Sequence, residues 1–182
     1  MAEAVARLTS RSVAVPTISA ITEEAQVHRA TFYNHFNSVE EAAAYAISIG
    51  FEEFQLFDYG DRHLGADPTS VALRTLRAIL GYLATHRELY RLASSWRSPT
   101  GYMGITDLLV EQVHNFREQF GDERAASGEA AALEDLYVGA GMSGVLSAAV
   151  EGVLGLEHPR VAEILLSMLP DWMRYPSDRE LG

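Results

Sequence analysis

Residues 16–41 read PTISAITEEAQVHRATFYNHFNSVEE, and the way this stretch divides decides the fold. Its apolar residues recur at helical spacing. Thr17 is placed as the N-cap of a helix running to about Ala25, and His28 opens a second one that ends near His35. Only a tight turn at Gln26-Val27-His28 separates them. Ile18, Ile21 and Ala25 give the first helix an inward face. Val27, Phe32 and Phe36 give the turn and the second helix the matching face. Two short helices that close on each other in this way form a helix-turn-helix.

Working outward, Ser38 and Glu41 have the spacing of a capping box and start a long helix expected to reach about Phe57. Upstream, a short helix spans about Glu3 to Ser12. Downstream, Asp67 and Pro68 stand as N-cap and N1 of a helix ending near Thr85. Further helices are expected at about 86–96, 100–120, 127–155 and 159–174, with a frayed tail from Pro176. No strand alternation is present, so the chain is expected to be all-α. The division is a three-helix head at 1–45, a larger helical part at 46–175 and a tail at 176–182. The short helices cannot bury much surface alone and must lean on the start of the long one.

The 182 residues are 48% apolar, which is enough for a real core. There is no cysteine, which excludes disulfides, thiolate metal sites and cysteine nucleophiles. No signal peptide and no membrane span are visible, so a soluble, cytoplasmic protein is expected. The formal charge is -11, and every basic side chain except histidine is arginine. A Lys-free chain rich in arginine and alanine suggests a GC-rich bacterial genome. The acidic balance taken alone argues against nucleic acid, because phosphate binding needs cations.

The motif argues the other way. Thr17-Ile18, Ile21, Ala25-x-Val27, Thr31-Phe32-Tyr33-x-His35-Phe36 and Ser38-x-Glu40 resemble the DNA-binding head of the TetR family of transcriptional regulators. The resemblance implies an N-terminal helix-turn-helix on double-stranded operator DNA and a C-terminal helical part that dimerises and binds a ligand. Thr17 as N-cap leaves amides that can grip a phosphate. Tyr33 lies off the Phe32/Phe36 face, so its hydroxyl can reach a phosphate, and His35 can do likewise. His28, Arg29, Ala30, Thr31 and Asn34 lie on the face that by resemblance enters the major groove. There Arg29 can pair with guanine and Asn34 with adenine. The sequence departs from the family pattern at several places, among them Ser12 at a position that is often glycine. Gln26 replaces the turn glycine and must adopt the turn conformation with a side chain. Val39 replaces a phosphate-binding lysine. Across residues 1–36, Arg7, Arg11 and Arg29 only balance Glu3, Glu23 and Glu24, so the head is neutral.

In the C-terminal part, Gly139, Gly141, Gly144, Ala148 and Gly152 are small residues that let a partner helix approach closely. Val161, Ile164, Leu165, Met168, Leu169 and Trp172 form a second apolar face. The resemblance implies a homodimer through these last two helices as a four-helix bundle. It also implies a cavity for a small apolar or aromatic effector, with Phe54, Tyr82, Tyr90, Trp96, Tyr102, Met103, Phe116 and Tyr137 as candidate lining. Arg74, Arg77, His86 and His114 are candidate polar contacts. Each aromatic can equally be plain core.

Other patterns carry no chemistry. Gly139-Ala-Gly141-Met-Ser-Gly144 fits G-x-G-x-x-G but lies inside a helix with no strand before it. Glu111-x-x-His114 is one half of a di-iron set whose other members are missing. Asp58, Asp61 and His63 are a weak metal candidate. No metal, cofactor or enzymatic activity is expected. Three functions remain open: a ligand-responsive regulator, commonly a repressor, on a palindromic operator; a helical dimer with a degenerate head that acts by small-molecule or protein binding; and a bundle-type metalloenzyme.

Overall fold

The computed structural model of the protein describes residues 1–11, 15–96, 104–154 and 158–175, and among these every regular element is a helix. The order is α1 (Ala2–Arg11), α2 (Ile18–Glu24), α3 (Arg29–Tyr33), α4 (Val39–His63), α5 (Pro68–Thr85), α6 (Arg87–Ser95), α7 (Gly104–Phe120), α8 (Glu129–Val150), α9 (His158–Met168) and α10 (Asp171–Arg174). None of the described helices is long and apolar enough to cross a membrane.

The helix starts follow the caps expected from the sequence. The Thr17 hydroxyl accepts from Ala20 N–H at 3.2 Å and the Asp67 carboxylate from Ser70 N–H at 2.8 Å. Hydrogen bonds from the Ser70 hydroxyl and N–H hold the Asp67 carboxyl below its ordinary pKa. Ser38 accepts from Glu41 N–H at 3.1 Å, which is half of the capping box. The reciprocal bond is displaced by one residue: Glu41 accepts from Asn37 N–H at 2.7 Å.

Three helices end in the same way. At the end of α8, Val153 N–H donates to Ala148 C=O at 3.0 Å and Gly152 N–H to Ala149 C=O at 3.1 Å, with Gly152 at φ +74°. This six-to-one, five-to-two pair satisfies carbonyls that a helix end leaves orphaned. It also stops α8 at Val150, short of the expected residue 155. α4 ends by the same pairing around Gly65, at φ +80°, and so outruns the expected Phe57. Gly60 sits inside that helix and does not break it. The third case is α2, where Val27 N–H donates to Thr22 C=O at 2.9 Å and Gln26 N–H to Glu23 C=O at 3.1 Å. There the left-handed position is held by Gln26 at φ +55°. A residue with a Cβ adopts that region at a cost of about 1–2 kcal/mol, partly offset in glycine by its greater unfolded-state freedom. Gln26→Gly is therefore expected to stabilise the fold by about 1 kcal/mol, read in a thermal melt as a rise of roughly 2–4 °C. The expected single helix over 159–174 is instead two, α9 and α10, because Pro170 lacks an N–H and its ring excludes a continuous helix.

The chain divides into two units. One comprises Met1–Glu52 and Tyr82–Ile105. In it α1 packs on α2 and on α6, and α2 on α3, with Val5, Ile21, Phe32, Ile47, Phe51 and Leu89 buried. The other comprises Glu53–Gly81 and Thr106–Gly182. In it α8 packs on α9, and Val71, Leu109, Val113, Leu146, Val161 and Leu165 are buried. Residues 1–45 fall wholly within the first unit, which also takes in α6.

Candidate nucleic-acid interface

α3 is only five residues long, so its orientation depends on anchors rather than on its own helical stability. Phe32 and Phe36 are those anchors. Both are buried, with ring centroids 5.6 Å apart, and Phe36 meets the Tyr45 ring at 5.5 Å. Burying these two rings turns the rest of α3 outward. His28, Arg29, Ala30, Tyr33, Asn34 and His35 are exposed, and Thr31 is half-buried. Thr17 is exposed at the start of α2. All eight residues expected at a DNA surface thus lie at the surface of the first unit.

Within that face Arg29 and Tyr33 are paired. Arg29 Nη2 donates to the Tyr33 hydroxyl at 3.3 Å, and the guanidinium carbon lies 5.8 Å from the ring centroid. The Tyr33 hydroxyl keeps its own proton to donate, and most of the Arg29 donors stay open. The α1 arginines are placed differently. Arg7 Nε lies 3.0 Å from Glu24 and 2.9 Å separates Arg7 Nη1 from Glu3, while Arg11 Nη1 is 3.5 Å from Glu24. The charge balance of the head was legible in the sequence, but the partition of its arginines into paired and open was not.

The candidate effector residues are scattered over several environments. Tyr102 and Met103 lie outside the described residues. In the first unit, Tyr90 is buried, Trp96 is half-buried beside Gly104, and the Tyr82 ring lies against Gly50 and stacks on His86 at 4.3 Å. In the second, Phe54 is half-buried on α4, and Phe116 packs against Tyr59, Phe120 and Trp172. Tyr137 departs from the expectation of an internal position: it is 80% exposed and lines a groove of about 150 Å³ between α8 and α9. That follows from the outward turn of its face of α8, on which Leu133, Leu136, Gly141 and Gly144 are also exposed. Arg74 pairs with Asp61, Arg77 with Glu163, and His114 with Asp135.

Asp58, Asp61 and His63 do not converge. Asp58 is buried against Arg62 and Thr75, Asp61 is taken by Arg74, and His63 meets Gln119. Among the described residues no group of three or more histidine, aspartate or glutamate side chains is placed to hold a metal.

No protein-family model matches the chain, and no curated protein sequence matches it. Among solved structures, the chain is similar to a Clostridium perfringens protein named as a fatty acid metabolism regulator. The identity is 17% and the TM-score 0.52, and the match covers 94% of this chain and 95% of that one. What the two share is a helical fold that extends nearly from end to end.

Proposed function

We propose that the chain is a cytoplasmic, non-enzymatic transcriptional regulator with a TetR-like head, working as a homodimer on a near-palindromic DNA operator and released from it by a small apolar or aromatic effector. The observation that carries this is the outward set on α3: His28, Arg29, Ala30, Tyr33, Asn34 and His35 are all exposed while Phe32 and Phe36 are buried. A short helix with an aromatic anchor on one side and arginine, asparagine and tyrosine on the other suits the major groove. The fold shared with a protein named as a regulator supports the same class of role.

Dimerisation is supported by the α8–α9 face. Leu133, Leu136, Tyr137, Ile164 and Met168 are exposed there, and nothing lies within 4 Å of where side chains at Gly141 and Gly144 would begin. A contiguous apolar face with small residues is what a twofold mate covers. A dimer presents two recognition helices, so the operator has two half-sites about 34 Å or a multiple apart. An effector that favours a different head spacing lowers operator affinity by its differential affinity for the two states. Repression is proposed only as the commoner behaviour of the family that the head resembles.

One observation favours the second reading, a head that no longer recognises DNA: two of its three arginines are engaged by glutamates. Binding to the DNA upstream of the protein's own gene separates the two readings. The dimer is expected to form a sequence-selective, salt-sensitive complex. Arg29→Ala is expected to lose about 1–3 kcal/mol of discrimination at one base pair per half-site. Absence of any selective complex at low salt selects the degenerate head instead.

A further inference from the structure

Two carboxylates sort the arginines of the head: Glu3 meets Arg7 at 2.9 Å, and Glu24 meets both Arg7 and Arg11. Glu24, at the last turn of α2, reaches Arg7 at 3.0 Å through one oxygen and Arg11 at 3.5 Å through the other. Its side chain is only 25% exposed, whereas that of Arg11 is 66% exposed. The acid is thus fixed in place and the arginines come to it. Arg7 and Glu24 line an open cleft of about 360 Å³ between α1 and the end of α2, so ions and water reach the pair. Arg29 has no carboxylate partner among the described residues, its contact being Tyr33.

We propose that Glu24 limits the DNA affinity of the head: it holds Arg11 and, together with Glu3, Arg7, which withdraws the α1 guanidiniums from phosphate binding and leaves recognition to the α3 face. This rests on the DNA-binding reading above. Phosphate contacts supply affinity without sequence information, and base contacts supply the information. A guanidinium held by a carboxylate brings little net charge to the duplex, so it neither releases counterions nor strengthens non-specific binding. Residues 1–36 hold three arginines against Glu3, Glu23 and Glu24, a balance of zero, and Glu24→Gln alone makes it +1. The arrangement lowers affinity for all DNA alike and leaves the discrimination between operator and random sequence to the α3 face.

The test uses the full chain, a random duplex and the duplex upstream of its gene, with binding followed from about 50 to about 200 mM salt. Glu24→Gln is nearly isosteric and is expected to bind random DNA more tightly at the low-salt end. Its log–log salt slope is expected to steepen by about one, for Arg11, since Glu3 still holds Arg7, so that its advantage over the unmodified protein shrinks roughly three- to fourfold across that range. Adding Arg7→Gln and Arg11→Gln to Glu24→Gln is expected to return the slope to that of the unmodified protein. A slope unmoved by Glu24→Gln overturns the proposal, as does a gain that persists in the triple variant, since the gain then does not run through the arginines. The two readings fail separately. Selectivity for the upstream duplex with an unmoved slope removes the role of Glu24 alone. A steepened slope without selectivity removes the operator alone. No binding by either protein removes both.

Discussion

Replacing Asp135 by alanine is expected to cost about 3 kcal/mol of folding stability, seen as a urea midpoint lowered by roughly 1–2 M. Asp135 and Arg117 are both buried, with side chains 4% and 8% exposed. One Asp135 oxygen accepts from Arg117 Nε at 2.9 Å and Nη2 at 2.6 Å, and the other lies 3.2 Å from His114 Nδ1. Arg117 also meets Glu134 at 2.7 Å, donates to Ala126 C=O at 3.0 Å and lies over the Trp172 ring. Trp172 Nε1 in turn donates to Glu134. One guanidinium therefore joins α7, the segment before α8, α8 and α10. Burial works against its charge, and Asp135 and Glu134 outweigh that, so its pKa stands above the ordinary arginine value. Alanine at 135 leaves that charge buried beside a single carboxylate. Because Glu134 remains, the cost falls at the low end of the 3–5 kcal/mol that breaking a buried pair typically carries. Arg117→Met combined with Asp135→Leu is expected to recover most of the loss, since an apolar pair of similar volume needs no ion partner. A loss below about 1 kcal/mol for Asp135→Ala would show the pair to be as well solvated as a surface bridge.

This network marks where sequence reasoning stops. Asp135 and Arg117 are separated by 17 residues and a turn, and nothing in either one's neighbours names the other. On a helical wheel Glu134 and Asp135 look like the solvated start of a helix. The caps were legible because they are local: Thr17, Ser38 and Asp67 each bond within three residues, so residue type and spacing suffice. The head was legible for the same reason. Phe32 and Phe36 lie one turn apart and must share a face, which forces Arg29, Tyr33 and Asn34 off it. Helix ends were less legible, because a glycine reads as a break wherever it falls. Gly60 lies within α4 while Gly65 ends it, and the difference is a pairing of Ala66 and Asp61 that only the folded backbone shows. Tyr137 could not be assigned from type alone. An aromatic on α8 serves an inner or an outer face equally well, and which face turns outward is fixed by packing against α9.

Phe32→Ala is expected to be the most damaging change in the head, at about 3–5 kcal/mol. The ring is fully buried and meets Phe36 at 5.6 Å and, edge-on, Tyr33 at 5.8 Å. Helices as short as α2 and α3 have no stability of their own in water, so their geometry comes from this aromatic contact and the Ile21 and Val5 side chains buried in the same unit. A loss of this size approaches the whole stability of many domains. Operator affinity is therefore expected to fall by about tenfold or more, because apparent affinity drops in proportion to the fraction of molecules that still present α3. Tyr33→Phe is the matched control: it keeps the ring, removes the hydroxyl that receives Arg29, and is expected to leave the urea midpoint in place while weakening DNA binding. The pair of variants separates a scaffold residue from a contact residue on the same turn of helix. If Phe32→Ala bound the operator within a few-fold of the unmodified protein, α3 would not owe its placement to the ring beneath it, and the exposed arginine, asparagine and tyrosine would lose their claim to be a presented surface.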